Sequence, residues 1–433
     1  MPSPSSRPGT ALSRPFLVLP AREAVTLARD RSPRFQFQVP ENWRSPRVIN
    51  PHAVEAEREV IDWFAGLGCT LPEVQRARKF DVAGYVGIPF PELSFEKTVL
   101  TAKYLSLWLL WDDVRVERLD GSWRIDAAHV CEGRAPDDMT RFDRGWWQLF
   151  LELGQSRSRA WIEDLCGAMA TWGEAAACEA VWMKQYQERD AGPPSVSRAG
   201  PPSTREGRRT LPPDVGRTRP GGSWRPAPDR QTLPGIGASS SGVHRAFPGG
   251  LSPDFAAQME MRIATIGMFA TVYLLEDAYD FELPRSFHAH PTVARLAWLA
   301  SKVVGIGNDV FSFAKDVVEE KPNLATTLMR ETDVSADEAL AHLIRMHDDA
   351  LEEYDRLAAS LRGWGEDVDA VIERWLRDVR YASLGFTLWE SQAPRYTAHK
   401  IVVNGRVIEP EITFVPETPV VTLARRPAIG PAR

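Results

Sequence analysis

The stretch from Gly305 to Asn323, GIGNDVFSFAKDVVEEKPN, limits what this chain can fold into more than any other. Read as a helix beginning near Gly307, it sets Asn308, Ser312 and Asp316 four residues apart, on one face. An amide oxygen, a hydroxyl and a carboxylate are hard oxygen ligands, suited to Mg²⁺ or Mn²⁺ and poorly suited to zinc. Lys315 stands beside Asp316, where it can meet an anion that the metal already holds. The competing reading is an amphipathic helix with a solvated polar face, because Asn, Asp and Ser are also common near helix starts.

A second stretch bears on the first. Trp111-Asp112-Asp113-Val-Arg-Val-Glu117 follows the apolar run from Tyr104 to Leu110. Adjacent carboxylates at the end of an apolar helix are costly unless something cationic neutralises them. A divalent cation would do so. Trp108, Leu109 and Leu105 lie on the turns below Asp112, placing an apolar, aromatic wall under it. The alternative is a helix that emerges into water at Asp112.

Together these residues resemble the class I terpene synthases, and among them the microbial terpene cyclases. That family carries an aspartate-rich motif on one helix, matched here by Asp112, Asp113 and Glu117. A second metal motif on a facing helix is matched by Asn308, Asp309, Ser312 and Asp316, with Asp316 one methylene shorter than the family's usual Glu. Arg262 stands 46 positions before Asn308, where the family has an arginine that senses diphosphate, in a segment similar to its RxxTxG. Arg395-Tyr396 matches the Arg-Tyr pair that ends the family's last core helix. The Asn50-Pro-His-Ala opening is also similar to bacterial members. The resemblance covers about residues 36–190 and 251–398.

Composition agrees with a globular chain. Of 433 residues, 43% are hydrophobic and 25% charged, which is ordinary for a folded domain. A net charge of −6 gives no reason to expect nucleic acid. The four cysteines, Cys69, Cys131, Cys166 and Cys178, show no metal-like pairing, so a reducing compartment fits. No apolar run is long enough to span a membrane, and Phe16–Pro20 is too short and proline-rich for a signal-peptide core. The expected location is cytoplasmic, and the expected assembly a monomer or homodimer.

Taken in order, residues 1–35 are rich in Pro, Ser and Arg and are expected to be disordered. Asn50 can cap a helix that Pro51 opens, while His52 reads as structural. Helices are expected over 73–80, 91–111, within 141–190, from 252 to about 278, and over 291–303. The metal-motif helix follows, then helices over 336–361 and 366–394. Thr265 and Gly267 allow a distortion or close packing near the active site. No strand–helix alternation appears in this core, so the fold class is all-α, a single helical bundle spanning 36–398. Residues 191–250 interrupt it with 11 Pro, 11 Gly and 9 Arg against 3 acidic residues. Such a segment buries too little apolar surface to offset its ordering entropy, and is read as a disordered insertion. In the tail, 399–433, Asn404-Gly405 between β-rich flanks signals a hairpin, expected to dangle more readily than to cover the site beside Arg395.

The resemblance implies a Mg²⁺-dependent class I terpene cyclase, with three Mg²⁺ ions, or Mn²⁺ in their place, and a prenyl diphosphate substrate. Metal ligands would be Asp112, Asp113, Glu117, Asn308, Ser312 and Asp316. Arg262, Lys315, Arg395 and Tyr396 would hold diphosphate, and Trp108, Phe269, Phe311, Phe386 and Trp389 would wall the cavity. Two rivals stand: a trans-prenyltransferase of similar fold, which would want a second DDxxD, and a non-catalytic relative that binds diphosphate or a protein partner.

Overall fold

The computed structural model describes residues 16–116, 125–190 and 254–415. The insertion 191–250, Glu117, residues 1–15 and the end of the tail beyond Val415 fall outside the described residues. The principal helices are α1 (Ala53–Gly66), α2 (Leu71–Arg78), α3 (Phe95–Trp111), α4 (Arg141–Gly154), α5 (Arg159–Asp190), α6 (Phe255–Thr265) and α7 (Met268–Ala278). They continue with α8 (Pro291–Val318), α9 (Leu324–Thr332), α10 (Ala336–Ser360) and α11 (Glu366–Gln392). Among the described residues, no helix is long and apolar enough to cross a membrane.

The bundle is built around α8, which packs against α6, α7, α9, α10 and α11. A helix touched on so many sides must be apolar almost all round; from Leu296 to Ala314 only Phe311 is not fully buried. The two helices expected over 291–303 and from Gly307 are therefore one. Gly305 and Gly307 do not break it, because its interior hydrogen bonds are kept and the glycines serve close approach instead. A Cβ on Gly307 would stand 2.8 Å from Thr387 Oγ1 of α11, and one on Gly305 would stand 3.4 Å from Arg262 Cγ of α6. Neighbouring helices are thereby drawn onto the turn that carries Asn308.

Helix starts follow local chemistry. Ser94 accepts from the Lys97 amide, and Thr70, Thr140 and Ser335 each form a reciprocal capping box. Asn50 lies two positions before the N-cap, His52, instead of serving as the cap itself. Its Oδ1 accepts from the His52 amide, its Nδ2 donates to the Phe90 and Leu93 carbonyls, and α1 begins at Ala53.

Both chain ends depart from the expectation. Residues 16–35 are not a disordered lead-in. They supply β1 (Phe16–Pro20) and β2 (Ala28–Asp30), and β3 (Gln36–Pro40) follows. The tail does not dangle: β4 (His399–Val403), β5 (Arg406–Ile408) and β6 (Glu411–Val415) pair with those strands. One sheet has the order β1-β4-β5-β2, and a second joins β3 and β6 in parallel. The hairpin turn is as expected, with Asn404 and Gly405 both at positive φ, 51° and 73°. The strands β1, β2, β3 and β6 carry no signal of their own because each is short and its partner lies at the far end of the described chain. Their apolar residues seat against the bundle. Fully buried Phe37 stacks on Phe311 of α8 at 5.6 Å and meets His347 of α10 edge-on at 4.6 Å.

If this layer is integral, Phe37→Ala should lower unfolding stability by about 3–5 kcal/mol, the usual cost of truncating a buried Phe. Urea titration followed by circular dichroism would measure it, and a loss below ~1 kcal/mol would mean that the layer is only loosely applied.

Candidate functional site

The oxygen-bearing face of α8 is pinned from outside before it can meet any ligand. Asn308, Asp309, Ser312 and Asp316 are all buried, each no more than 8% exposed. The chain reverses after α8, and Asn323 caps α9, its Oδ1 accepting from the Ala325 amide at 2.9 Å. Asn323 Nδ2 donates back to the Asp309 carbonyl at 2.8 Å and to Asp316 Oδ2 at 2.9 Å. Asp309 Oδ2 in turn accepts the Leu324 amide at 2.7 Å. Asp309 thus anchors α9 on one side and faces Arg262 on the other. Ser312 lies behind Asp316, with its hydroxyl donating to that carboxylate. Lys315 Nζ sits 3.3 Å from Asp316 Oδ1, and also 3.3 Å from Glu319.

Across a cavity from α8, α3 ends at Trp111 and winds into a π-turn from Asp112 to Val116. Such wide turns re-aim side chains and are frequent at functional sites. Asp112 lines the cavity together with Asn308, Asp309 and Asp316. Asp113 does not. Its carboxylate faces a neighbouring basic groove, 3.4 Å from Arg76 of α2 and 3.7 Å from Arg395.

Cations and hydroxyls converge on the same cavity. Arg262 of α6 places Nε 2.8 Å from Asp309 Oδ1, while its Nη2 donates to Asn308 Oδ1. Burial works against its charge, but Asp309, Glu179 and Asp316 outweigh that and hold it firmly protonated. Burial pushes Asp309 up to about 6 against the pull of Arg262. Lys315, Arg395 and Tyr396 complete the rim. Asn308 Nδ2 donates to the Tyr396 hydroxyl at 3.2 Å and to Glu390 Oε1 at 2.8 Å. Burial pushes Glu390 up to about 8 and Tyr396 up to about 12.

Three of the five expected wall residues face the cavity: Trp108, Phe386 and Trp389, joined by Leu105, Leu109 and Trp172. Phe311 instead supports the terminal strands by stacking on Phe37. Phe269 sits among the half-buried residues packed on the core, away from the cavity wall. Both misplacements have one cause: helical spacing gives a side chain's angle around its axis but not which neighbour lies at that angle.

The Thr265–Gly267 distortion is realised as a break between α6 and α7. Gly267 adopts φ +89°, and a Cβ there would stand 2.9 Å from the Trp108 ring. The break frees the Thr265 carbonyl, which accepts from Trp172 Nε1 at 2.7 Å. Trp172 then meets Trp108 edge-on at 4.8 Å.

Sequence reasoning missed Asn323, Glu390, Glu179 and Trp172 as site residues. Only Asn323 carried a local signal, since Asn-Leu-Ala-Thr is a capping pattern.

The donor set fits a hard divalent cation. Amide, hydroxyl and carboxylate oxygens stand in line on α8, with Asp112 opposite them, and a guanidinium already rests on Asn308 Oδ1 as a positive charge would. No cluster of three His, Cys, Asp or Glu occurs among the described residues, so the fit rests on this mixed set.

Comparison with known proteins agrees with the geometry. The family model "Terpene synthase family 2, C-terminal metal binding" matches residues 245–353, which include the α8 motif and Arg262. Terpene cyclase 4 of Gibberella fujikuroi is 22% identical over 144 residues, 33% of this chain and 40% of that protein. The 10-epi-cubebol synthase of Sorangium cellulosum is 26% identical over 145 residues, 33% of this chain and 46% of that one. The aligned stretch thus spans less than half the length of these curated relatives. Among solved structures, linalool/nerolidol synthase from Streptomyces clavuligerus superposes with a TM-score of 0.56 at 17% identity, covering 82% of this chain and 99% of that one. Germacradien-4-ol synthase from Streptomyces citricolor gives 0.54 at 16%, covering 80% and 97%. The fold is that of these enzymes.

Asn323 allows a direct check on the pinning. At an ordinary N-cap, Asp serves about as well as Asn, and Ala costs about 0.5–2 kcal/mol. Here Asn323→Asp should destabilise at least as much as Asn323→Ala, because a carboxylate would face Asp316. Denaturation midpoints of the two variants read this out; an Asp variant as stable as wild type would contradict the arrangement.

Proposed function

We propose that this chain, which belongs to the class I terpene synthases, ionises a linear prenyl diphosphate, farnesyl or geranylgeranyl diphosphate, and cyclises the resulting allylic cation. The observation that carries the reading is one cavity with two ends. At one end Asp112 faces Asn308 and Asp316, with Arg262, Lys315, Arg395 and Tyr396 around them; at the other stand Trp108, Phe386 and Trp389.

The chemistry divides along that line. The allylic C–O bond breaks with its electron pair leaving on the diphosphate, so the barrier falls as negative charge on those oxygens is stabilised. Bound Mg²⁺, held by Asp112 and by Asn308, Ser312 and Asp316, would supply Lewis acidity to the leaving group. Arg262, Lys315 and Arg395 would donate charge-assisted hydrogen bonds to its oxygens, and the Tyr396 hydroxyl a neutral one. Asp113 has a different task, keeping Arg395 at the rim through its ion pair. Arg262 must exchange Asn308 for the diphosphate as substrate arrives. Its second partner, Asp309, is fixed to α9 and can hold the guanidinium close during that exchange.

At the apolar end, aromatic faces stabilise a nearby cation by about 0.5–2 kcal/mol each. The edge-on contact of Trp108 with Trp172 and the seat of Gly267 against Trp108 keep that ring from turning. Exclusion of water by the same wall would let the cation cyclise before it is quenched. The cascade ends by loss of a proton or by capture of water.

The test is incubation with geranyl, farnesyl and geranylgeranyl diphosphate, with Mg²⁺ or with EDTA, and analysis of the organic extract by gas chromatography–mass spectrometry. A cyclic hydrocarbon or alcohol should form from one substrate with Mg²⁺ alone. Asp112→Asn and Asn308→Ala should each lower turnover about 10²-fold or more, on the scale of removing one transition-state contact, with unchanged helical circular dichroism. Full activity in either variant, or no product from folded wild type, would refute the reading.

A further inference from the structure

Asn308 presents a problem that a carboxylate at the same place would not. An amide has an oxygen end and a nitrogen end of nearly equal size, and only the oxygen can ligate a cation. Nothing in the helix backbone selects which end faces the cavity, so some neighbour has to.

The neighbour is on α11. Asn308 Nδ2 donates to Glu390 Oε1 at 2.8 Å and to the Tyr396 hydroxyl at 3.2 Å. Oδ1 is thereby turned the other way, toward the Arg262 guanidinium. Flipping the amide would set its oxygen against Glu390 Oε1 and its NH₂ against the Arg262 guanidinium, losing both of those bonds. Tyr396 cannot fix the orientation alone, because a hydroxyl can donate as readily as it accepts. Glu390 Oε1 accepts from Nδ2 whether the side chain is ionised or carries its proton on the unpartnered Oε2, which removes the ambiguity.

Two further observations single out Glu390. It is 3% exposed and lines the cavity, yet Oε2 has no hydrogen-bond partner among the described residues. An incompletely satisfied buried carboxyl group costs stability, so its presence needs a return elsewhere. Its position also depends on a close approach built for it: Gly307, next to Asn308, admits Thr387 of α11, one turn before Glu390.

We infer that Glu390 is a positioning residue that orients the Asn308 side-chain amide so that Oδ1, and not Nδ2, is offered to the divalent cation. The inference rests on the metal-dependent reading above. It assigns Glu390 no contact with substrate and no proton to move.

The probe is Mn²⁺ titrated into the full-length protein with inorganic diphosphate present, read by loss of the free-ion electron paramagnetic resonance signal. Glu390→Met removes the acceptor and should weaken Mn²⁺ binding about 10–100-fold, the usual effect of removing a partner that orients a ligand. Glu390→Gln keeps an acceptor oxygen and should stay within about threefold of wild type. Thermal melting of Glu390→Met should be unchanged or raised, because an incompletely hydrogen-bonded buried carboxyl group has gone. The decisive comparison uses Asn308→Asp, whose two oxygens are equivalent. In that background Glu390→Met should not weaken binding, and relief of carboxylate–carboxylate repulsion should favour it.

Wild-type affinity in Glu390→Met would overturn the inference while leaving the metal site intact. So would equal weakening in both backgrounds, which would mean that the charge of Glu390 matters and the amide orientation does not. Failure of wild type itself to bind Mn²⁺ would overturn the metal-dependent reading and this inference with it, and the two failures are told apart by the wild-type titration.

Discussion

Placing an amide, a hydroxyl and two carboxylates on the most deeply packed helix of the molecule is the constraint to which everything else answers. Such groups are expensive to bury without partners, and α8 is surrounded. The partners come from four directions. α9 contributes Asn323 and the Leu324 amide, α6 contributes Arg262, α11 contributes Glu390, and the turn after α11 contributes Tyr396. Glycines at 305 and 307 bring two of those elements near enough. The bundle is arranged so that one polar stripe is satisfied in several ways at once, and at least one of those ways, Arg262 on Asn308, is an ion-like contact that a cation can replace.

What the sequence made legible was whatever is local. Asn308, Ser312 and Asp316 are four apart on one helix, so their common face followed from helix geometry alone. Trp108, Leu105 and Asp112 share a face of α3 for the same reason, and they do line one cavity. The all-α core and the Asn404-Gly405 turn were readable likewise. Partners distant in the chain were not. Glu390 lies 82 residues from Asn308, and although Trp389 and Arg395-Tyr396 stand near it, no local spacing ties its side chain to Asn308. Phe311 points to the far side of α8 because the terminal strands are there, and their pairing joins residues as far apart as Gln36 and Glu411. Asp113 looks equivalent to Asp112 in the sequence, yet the π-turn and Arg76 separate their roles.

The curated relatives match over about a third of this chain, and the solved structures superpose over about four fifths of it. The family model matches residues 245–353, the part of the chain that carries Arg262 and α8. A wall can exchange Leu for Met or Phe if volume and patterning are kept. A ligand set and its supporting hydrogen bonds have far fewer equivalents.

The sheet that joins the two ends of the chain also sets an order of assembly. Helical contacts such as those of α3 with α4 form between near neighbours and can be made early, whereas β1 must find β4 after some 380 residues of intervening chain. Closing a loop of that length is slow and is not rewarded until the helices have already brought the ends together. β4 begins at His399, only three residues after Tyr396, so the rim bearing Arg395 and Tyr396 is fastened by the last contacts to form. During synthesis the cavity would exist as a set of helices well before the rim bearing Arg395 and Tyr396 is secured, and that rim would be complete only once β1 and β4 have met.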